Sequence, residues 1–472
     1  MTFFEQYFDN AIFERITNET NRYARQYLFE NNNKLTKNSR FLKWVDTSLE
    51  EIKVYIALLI LQGVDSKSET HMYFSKRKSV CNCLFSSVMS SRRFYLLSRF
   101  LYFVDNTSIT YKSNVVEKKL SKIQPLINLL LPKFKNNYIP KKNIVVNDSI
   151  LGSKGRLSFT HNLPTKKRFG LKFYELCESN TGYIWNFLIY TGSDTKYCEQ
   201  YRHLPIMEKI VCSLCNPLFD KGYCLYTDSS YTSPTLADIL VERQTDYVGT
   251  LDINCKGVPQ QVKEKKLKKG EIITAFKKKT MILKWKDKKE VVFLSTIHDN
   301  SMVNVVSKRG VKTEKPKAIV NYNANIEGKN LKDDLLCHYT TARNRMKRFY
   351  MKIFRYLLDA SVLNSFIAYK QLGGTKSRIE YIVTLAEYMI STYKNFLPFP
   401  ISSSERSLAM PSKLIGRHFP DYCPPSEKTA RPLRRCIQCQ KEKKKKKSSY
   451  WCPECKVGLC VAPCFRLWHT QE

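Results

Sequence analysis

A mixed α/β protein with a helical first third and a small Cys-rich, metal-binding tail is the fold class that the sequence predicts. Three observations predict it. Apolar residues recur at helical spacing up to about residue 140, short β-branched runs alternate with helical stretches beyond that point, and six of the 16 cysteines crowd between Cys436 and Cys464. Length allows roughly two to four domains. Hydrophobic and aromatic contents of 43% and 12% are those of a chain that buries a core.

Taken in order, the elements begin with a helix near Ser48-Leu49-Glu50-Glu51. Its acidic first turn suits a helix N-terminus, and Ile52, Tyr55, Ile56 and Leu59 follow at helical spacing. A second helix is expected from a cap at Ser90 or Ser91 through Phe94, Leu97 and Leu101. The prolines of Leu131-Pro132-Lys133 and Tyr138-Ile139-Pro140 mark a boundary. Strands are then expected at Asn143–Asn147, Phe169–Cys177 and Tyr183–Tyr190, the last two joined by a hairpin turn at Asn180-Thr-Gly182. Leu204–Leu214 has helical spacing, and Gly222–Tyr226 reads as a short strand. Thr280–Trp285 and Glu290–Ile297 are strand-like pieces of a Lys-rich stretch, expected to form a small β insertion. Leu331 to Leu372 is helical and apolar on more than one face (Phe349, Ile353, Leu357, Val362, Phe366), so a buried helix is expected. Ser402–Ser407 and Pro424-Pro425 mark a linker before the tail. The resulting division is 1–140 helical, 141–252 and 317–400 two parts of one α/β core, 253–316 a basic β insertion, 401–433 a linker and 434–472 the Cys-rich module.

Charge narrows the function classes. Lys and Arg number 79 against 42 Asp and Glu, a formal balance of +37. That excess suits phosphate neutralisation with counterion release on a nucleic acid, although a merely Lys-rich soluble protein is also basic. The longest apolar run, near Tyr55–Leu61, is far short of the roughly 18–20 residues that span a bilayer. The start, Met1-Thr-Phe-Phe-Glu-Gln, lacks a basic segment and a small-residue cleavage site, so no secretory signal is expected.

The tail carries the clearest chemical signal. Cys436-Ile-Gln-Cys439 and Cys452-Pro-Glu-Cys455 are Cys-x-x-Cys knuckles, followed by Cys460, Cys464 and His469. Paired thiolates on tight knuckles are the usual way to close a tetrahedral Zn²⁺ site. A segment of this size buries too little apolar surface to fold without metal. Seven ligands make one site and leave a second, cross-braced site one ligand short, with Cys423 or His418 the candidates to complete it. Between the knuckles, Lys443–Lys447 reads as a solvated loop, a phosphate contact or a nuclear import signal. Cys212-Ser-Leu-Cys215 has no partner pair and reads as structural.

Several strings resemble the PiggyBac transposase family. Early ones are Thr20-Asn-Arg-Tyr23, Tyr73-Phe-Ser75, Met89-Ser-Ser-Arg-Arg-Phe94 and Phe103-Val-Asp-Asn106. In the core they are Lys154-Gly-Arg-Leu-Ser-Phe159, Phe169-Gly-Leu-Lys172, Thr181-Gly-Tyr183, Tyr190-Thr-Gly192 and Thr227-Asp-Ser-Ser-Tyr-Thr-Ser233. Gly249-Thr-Leu251, Tyr322-Asn323, Asn364-Ser-Phe-Ile-Ala-Tyr369 and Leu459-Cys-Val-Ala-Pro-Cys-Phe465 complete the ordered series. Because Phe3-Phe4 resembles the start of the family's folded region, an N-terminal extension is expected to be absent.

The resemblance implies an RNase H-like core in which three aspartates gather two divalent ions, the first ending an inner strand, the second following a later strand and the third opening a helix. Hard cations that activate a water or 3′-hydroxyl need such anionic oxygen ligands. Matched residue by residue, the three positions fall on Asn147, Asp228 and Asn330, so two of the three are amides. Asp148 takes the place of an acidic follower and should face away from Asn147, since successive strand residues alternate. Asp333 lies one turn beyond Asn330 and could reach the site. A plainer reading of Asp228 is a turn or capping residue ahead of Tyr231-Thr-Ser.

The family resemblance therefore leaves three functions open: a DNA-binding protein without strand-transfer activity; a transposase using Asp228 with Asp148 or Asp333 as replacements, excising through hairpins and inserting at TTAA-like targets; or a chromatin-associated scaffold for protein partners. The expected partners are double-stranded DNA and a second copy of the chain, and the expected location is the nucleus. One or two structural Zn²⁺ ions are expected, with Mg²⁺ only if the core is active.

Overall fold

The computed structural model describes residues 2–75, 77, 83–107, 119–152, 161–163, 168–306, 310, 312–342, 346, 348–396, 418–426, 429–442 and 444–470; within these, the side chains of 2, 83, 161–163, 168, 169, 329, 330 and 470 are not described. The chain folds as two compact units, one of Met1–Thr70 with Ser91–Phe399 and one of His71–Ser90 with Pro400–Glu472.

The first unit opens with helices. In α1 (Asn10–Glu30) the Asp9 side chain accepts from the Ile12 N–H, and in α2 (Leu49–Val64) Ser48 accepts from Glu51 N–H. A buried ion pair, Arg93 Nη2 to Glu51 Oε2 at 2.5 Å, ties α2 to α3 (Ser91–Phe100). Next comes α4 (Gln124–Asn136), which contains Pro132 instead of ending there. Its buried stripe of Leu126, Ile127, Leu130 and Phe134 outweighs the one hydrogen bond that a proline forfeits, so the boundary falls after Asn136.

Four strands in antiparallel pairings follow. They are β1 (Asn143–Gly152), β2 (His161–Leu163), β3 (Arg168–Glu178) and β4 (Ile184–Ile189), and the β3–β4 turn uses Gly182 at φ +73°. Beyond α5 (Ile206–Cys215), β5 (Cys224–Thr227) pairs in parallel with β1; beyond α6 (Pro234–Glu242), β6 (Asp246–Leu251) pairs in parallel with β5. The order β4-β3-β1-β5-β6 is that of an RNase H-like sheet. The Lys-rich stretch does not stand apart: β7 (Ile272–Lys277), β8 (Thr280–Lys286) and β9 (Glu290–Ser295) extend this sheet through an antiparallel β6–β9 pairing. Only β10 (Met302–Val306) and β11 (Lys312–Pro316) form a separate hairpin.

The expected helix over Leu331–Leu372 is two helices, α7 (Lys317–His338) and α8 (Phe349–Gln371). The break has a physical cause: the buried Asp359 carboxylate accepts from Thr341 N–H and Thr340 Oγ1, holding the backbone at 340–341 out of helix. α9 (Arg378–Tyr393) starts at a Ser377/Glu380 capping box and lies along α2, where Lys53 Nζ donates to Tyr393 Oη at 3.1 Å. One face of the sheet carries the core cluster Val145, Tyr226, Val248, Leu283 and Phe293, closed by Ala318, Ile319 and Tyr322 of α7. Among the described residues no helix is long and apolar enough to cross a membrane. The Ser402–Ser407 linker lies outside the described residues.

In the second unit short strands frame the Cys-rich module. β12 (Asp421–Tyr422) pairs with β15 (Tyr450–Cys452), which pairs with β16 (Val457–Gly458); β13 (Arg434–Arg435) pairs with β14 (Lys447–Ser448), and α10 (Cys464–Thr470) closes the module. Its small core is made of the cysteines themselves with Leu459, Phe465 and Trp468.

Candidate metal centres of the core and the tail

The core site is built from β1, the residue after β5, and α7. Asn147 lies in the middle of β1, not at its end, because β1 runs on to Gly152 in register with β3. It is fully buried, and neither its Oδ1 nor its Nδ2 has a hydrogen-bond partner among the described residues. Asp228 directly follows β5 at the next strand over. Its Oδ1 accepts from Ser230 N–H at 2.9 Å, and its backbone carbonyl accepts from the N–H groups of Tyr231 and Thr232, so it does make the turn that leads into α6. Asn330 lies well inside α7, not at its opening, since α7 begins at Lys317. The side chain of Asn330 is outside the described residues.

Both acids that the sequence offers beside the mapped positions pair with lysines. Asp148 pairs with Lys172 Nζ at 3.1 Å, on the face of β1 opposite Asn147. Asp333 pairs with Lys332 Nζ at 2.8 Å. Asp148, Asp228 and Glu175 all bear on Tyr231, whose phenol is pushed well above its ordinary range by burial first and then by these charges.

Sequence reasoning missed the strongest electrostatic feature of this site. Glu175 is the register partner of Asn147 on β3 and so shares its face. Its Oε2 meets Lys332 Nζ at 2.5 Å with both side chains 0% exposed; Ser149 Oγ donates to the same oxygen at 2.7 Å, and Tyr356 of α8 donates to the other. Burial alone would lower the Lys332 pKa, but Glu175 and the neighbouring Tyr356, Cys177 and Asp333 outweigh it and raise it well above the ordinary lysine range. The signal was available: a glutamate inside the otherwise apolar run Phe173-Tyr-Glu-Leu-Cys177 needs a buried cation.

α7 reaches the sheet through one stripe. Asn321 accepts from Tyr226 Oη of β5, Asn325 accepts from Asn143 Nδ2 of β1, and Lys332 binds Ser149 and Glu175. Positions 321, 325, 328 and 332 repeat at i, i+4, i+7 and i+11. Gly328 is required in that stripe, since a Cβ there would stand 2.1 Å from the Ser179 carbonyl oxygen.

The donor set therefore does not fit a pair of hard divalent cations. It offers a single mapped carboxylate, Asp228, beside a buried amide, and its flanking acids are paired with ammonium groups.

The tail contrasts with it. Cys436, Cys439, Cys460 and Cys464 form one group, and His418, Cys452, Cys455 and His469 form another, with all ligand atoms of each group within 4.8 Å of one another. A tetrahedral zinc with Zn–S near 2.3 Å requires ligand separations of about 3.8 Å. The observed separations straddle that value: Cys439 Sγ lies 3.9 Å from Cys460 Sγ and 3.4 Å from Cys464 Sγ. In the second group His418 Nδ1 lies 3.3 Å from Cys452 Sγ and 3.4 Å from Cys455 Sγ, and His469 Nε2 lies 3.5 Å from Cys455 Sγ. His469 Nδ1–H donates to the Phe465 carbonyl at 2.7 Å, which presents Nε2 to the metal. The ligand pairs alternate between the groups along the chain, which is a cross-brace.

His418 thus completes the second group of four; Cys423 is buried but belongs to neither group. Burial pushes the Cys436 thiol up, yet hydrogen bonds from the backbone N–H groups and the side chains of Cys439 and Cys460 more than offset it and bring it to about 7. That arrangement favours the thiolate of Cys436, whereas burial and the neighbouring thiols push Cys452, Cys460 and Cys464 up. Cys212 and Cys215 lie buried in α5, outside any metal group of the described residues. Lys444, Lys445, Lys446 and Lys447 line, with Arg435, a cavity of about 350 Å³ on the module, while Lys443 lies outside the described residues.

An RNase H-like sheet order, in a chain that also carries a Cys/His cross-brace, defines a transposase-type protein. A family profile described as Transposase IS4 matches residues 1–366, and one described as DDE_Tnp_1-like zinc finger matches residues 426–470. The chain belongs to the PiggyBac-type transposase family. Human PiggyBac transposable element-derived protein 2 is 24% identical over 391 residues, covering 77% of this chain and 60% of that protein. Human PiggyBac transposable element-derived protein 3 is 25% identical over 340 residues, covering 68% and 55%. The chain thus spans little more than half the length of these relatives. A piggyBac transposase solved by cryo-electron microscopy as a synaptic complex with hairpin DNA superposes with a TM-score of 0.77 at 22% identity, covering 97% of this chain and 94% of that one.

Proposed function

We propose that this chain is a DNA-binding protein of the PiggyBac transposase family whose core does not carry out strand transfer. The observation that carries the reading is the state of the core site: Asn147 and Asn330 stand where carboxylates are expected, and Asp148 and Asp333, their possible replacements, each face a lysine ammonium. Asp228 alone cannot hold two divalent ions against their hydration. Double-stranded DNA is the proposed partner, supported by the +37 charge balance and by the hairpin DNA bound in the solved relative. Two structural zinc ions are proposed for the tail, one on Cys436, Cys439, Cys460 and Cys464 and one on His418, Cys452, Cys455 and His469. The lysines 444–447 supply phosphate contacts beside the first of them. A nuclear location and self-association follow from the same reading.

The test is an excision and nicking assay on donor DNA with Mg²⁺ or Mn²⁺, run beside a binding assay on the same DNA. Binding without cleavage is expected, and Asp228→Ala should leave binding unchanged. Metal-dependent cleavage that Asp228→Ala abolishes would establish a working transposase instead.

A further inference from the structure

We propose that Lys332 is the resident cation of the core site: its ammonium supplies, from within the fold, the positive charge that divalent ions supply in a carboxylate-lined site, and it fastens α7 to β1 and β3 beside Asn147. The inference rests on the reading of the core as one that binds no Mg²⁺, and deepens it by naming what balances the site.

Three observations support it. The Lys332 ammonium is wholly buried, and its three N–H donors have three acceptors: Glu175 Oε2 at 2.5 Å, Asp333 Oδ1 at 2.8 Å and Ser149 Oγ. These acceptors come from β3, α7 and β1, so one cation joins three elements as a bridging metal would. Next, the charge on this face closes only with an amide at 147. The two wholly buried charges, Glu175 and Lys332, cancel, with Asp333 half exposed to water, whereas an aspartate at 147 would set a second buried carboxylate in register with Glu175. One ammonium cannot neutralise both. Finally, Asn147 is not held by any hydrogen bond, since both its polar atoms are buried and unpartnered among the described residues. What asparagine contributes there is the shape of aspartate without its charge.

The experiment uses the full chain and Mn²⁺ as probe, with thermal melting as readout, because Mn²⁺ does not compete for thiolate-rich zinc sites. The wild-type melting temperature should not move in about 5 mM Mn²⁺. Lys332→Met should melt lower, and Mn²⁺ should restore at least half of the loss by occupying the vacated place among Glu175, Asp333 and Ser149. The double variant Glu175→Gln with Lys332→Met should ignore Mn²⁺. A Lys332→Met protein that responds to Mn²⁺ no more than wild type would overturn the proposal, because a merely structural lysine predicts that result. Should Lys332→Met fail to fold with or without Mn²⁺, Asn147→Asp decides. With Lys332 in place it should bind Mn²⁺ no better than wild type by paramagnetic resonance, and stoichiometric binding would overturn the proposal. Cleavage of DNA by the wild-type chain is scored separately and bears on the reading of the core, not on this melting series.

Discussion

The two candidate metal-binding regions of this chain, the tail and the core, obey the same electrostatic requirement and meet it in opposite ways. In the tail, eight Cys and His side chains form two closed ligand sets, and few other interactions could hold so small a module together. In the core, the mapped positions hold two amides and one carboxylate, and the neighbouring negative charges are met by Lys172 and Lys332. The difference lies in what else holds each region. A nine-stranded sheet packed under α7 has an apolar core of its own, so a change of metal ligands there need not cost the fold. The tail has only its cysteine-lined core, so loss of a ligand there removes the fold.

Metal removal should have the largest effect. Stripping zinc with a strong chelator, or replacing Cys436 or Cys452 by Ser, is expected to unfold the tail, since a structural zinc contributes on the order of 10 kcal/mol or more. The core should keep its sheet, and circular dichroism with limited proteolysis would separate the two outcomes. Loss of the core together with the tail would break the comparison. The ligand assignment is sharpened by His418→Ala, which should reduce the zinc count from two to one.

Next in size is the salt response of DNA binding. If the basic body and the lysines beside the first zinc group both contact phosphates, affinity should fall by about 10³-fold or more between roughly 50 and 200 mM salt. Replacing Lys444–Lys447 by Gln should make that slope shallower while the core-bound part persists. A slope unchanged by the substitutions would place DNA contact on the core alone.

A smaller effect concerns a buried acid of the core that has hydroxyl and amide donors for its partners. Burial raises the Asp359 carboxyl from 3.8 to about 6, although Thr341, Thr340 and Arg355 oppose the shift. A raised acid pKa favours the protonated fold, so stability is unaffected below pH about 4 and falls as pH rises through about 6. The loss is roughly 3 kcal/mol. Asp359→Asn should therefore gain on wild type in melting temperature between pH 4.5 and 7; a constant difference would contradict the assignment. The smallest effect belongs to Cys423→Ser, which should leave two zinc ions bound.

Much of this comparison was legible in the residues, and the exceptions have physical causes. The helix starts at Ser48 and Ser91 and the strands at Asn143 and Ile184 follow from local capping and apolar pattern. Ligand types and knuckle spacing marked the tail, but the choice between His418 and Cys423 depended on how β12 returns to β15, which spacing does not encode. The break between α7 and α8 depended on Asp359, a residue far along the next helix, and the extension of the sheet by β7–β9 is a long-range pairing. Glu175 and Lys332 are 157 residues apart, and each alone reads as an ordinary charge. Only the packing of α7 on β3 turns them into one neutral unit.

On the proposed reading the tail keeps two metals and the core binds none. Native mass spectrometry of the full chain, equilibrated with both Zn²⁺ and Mn²⁺ at near-physiological salt, tests it most directly. A single species carrying two zinc ions and no manganese is expected. A species with manganese bound that disappears in Asp228→Ala would contradict it.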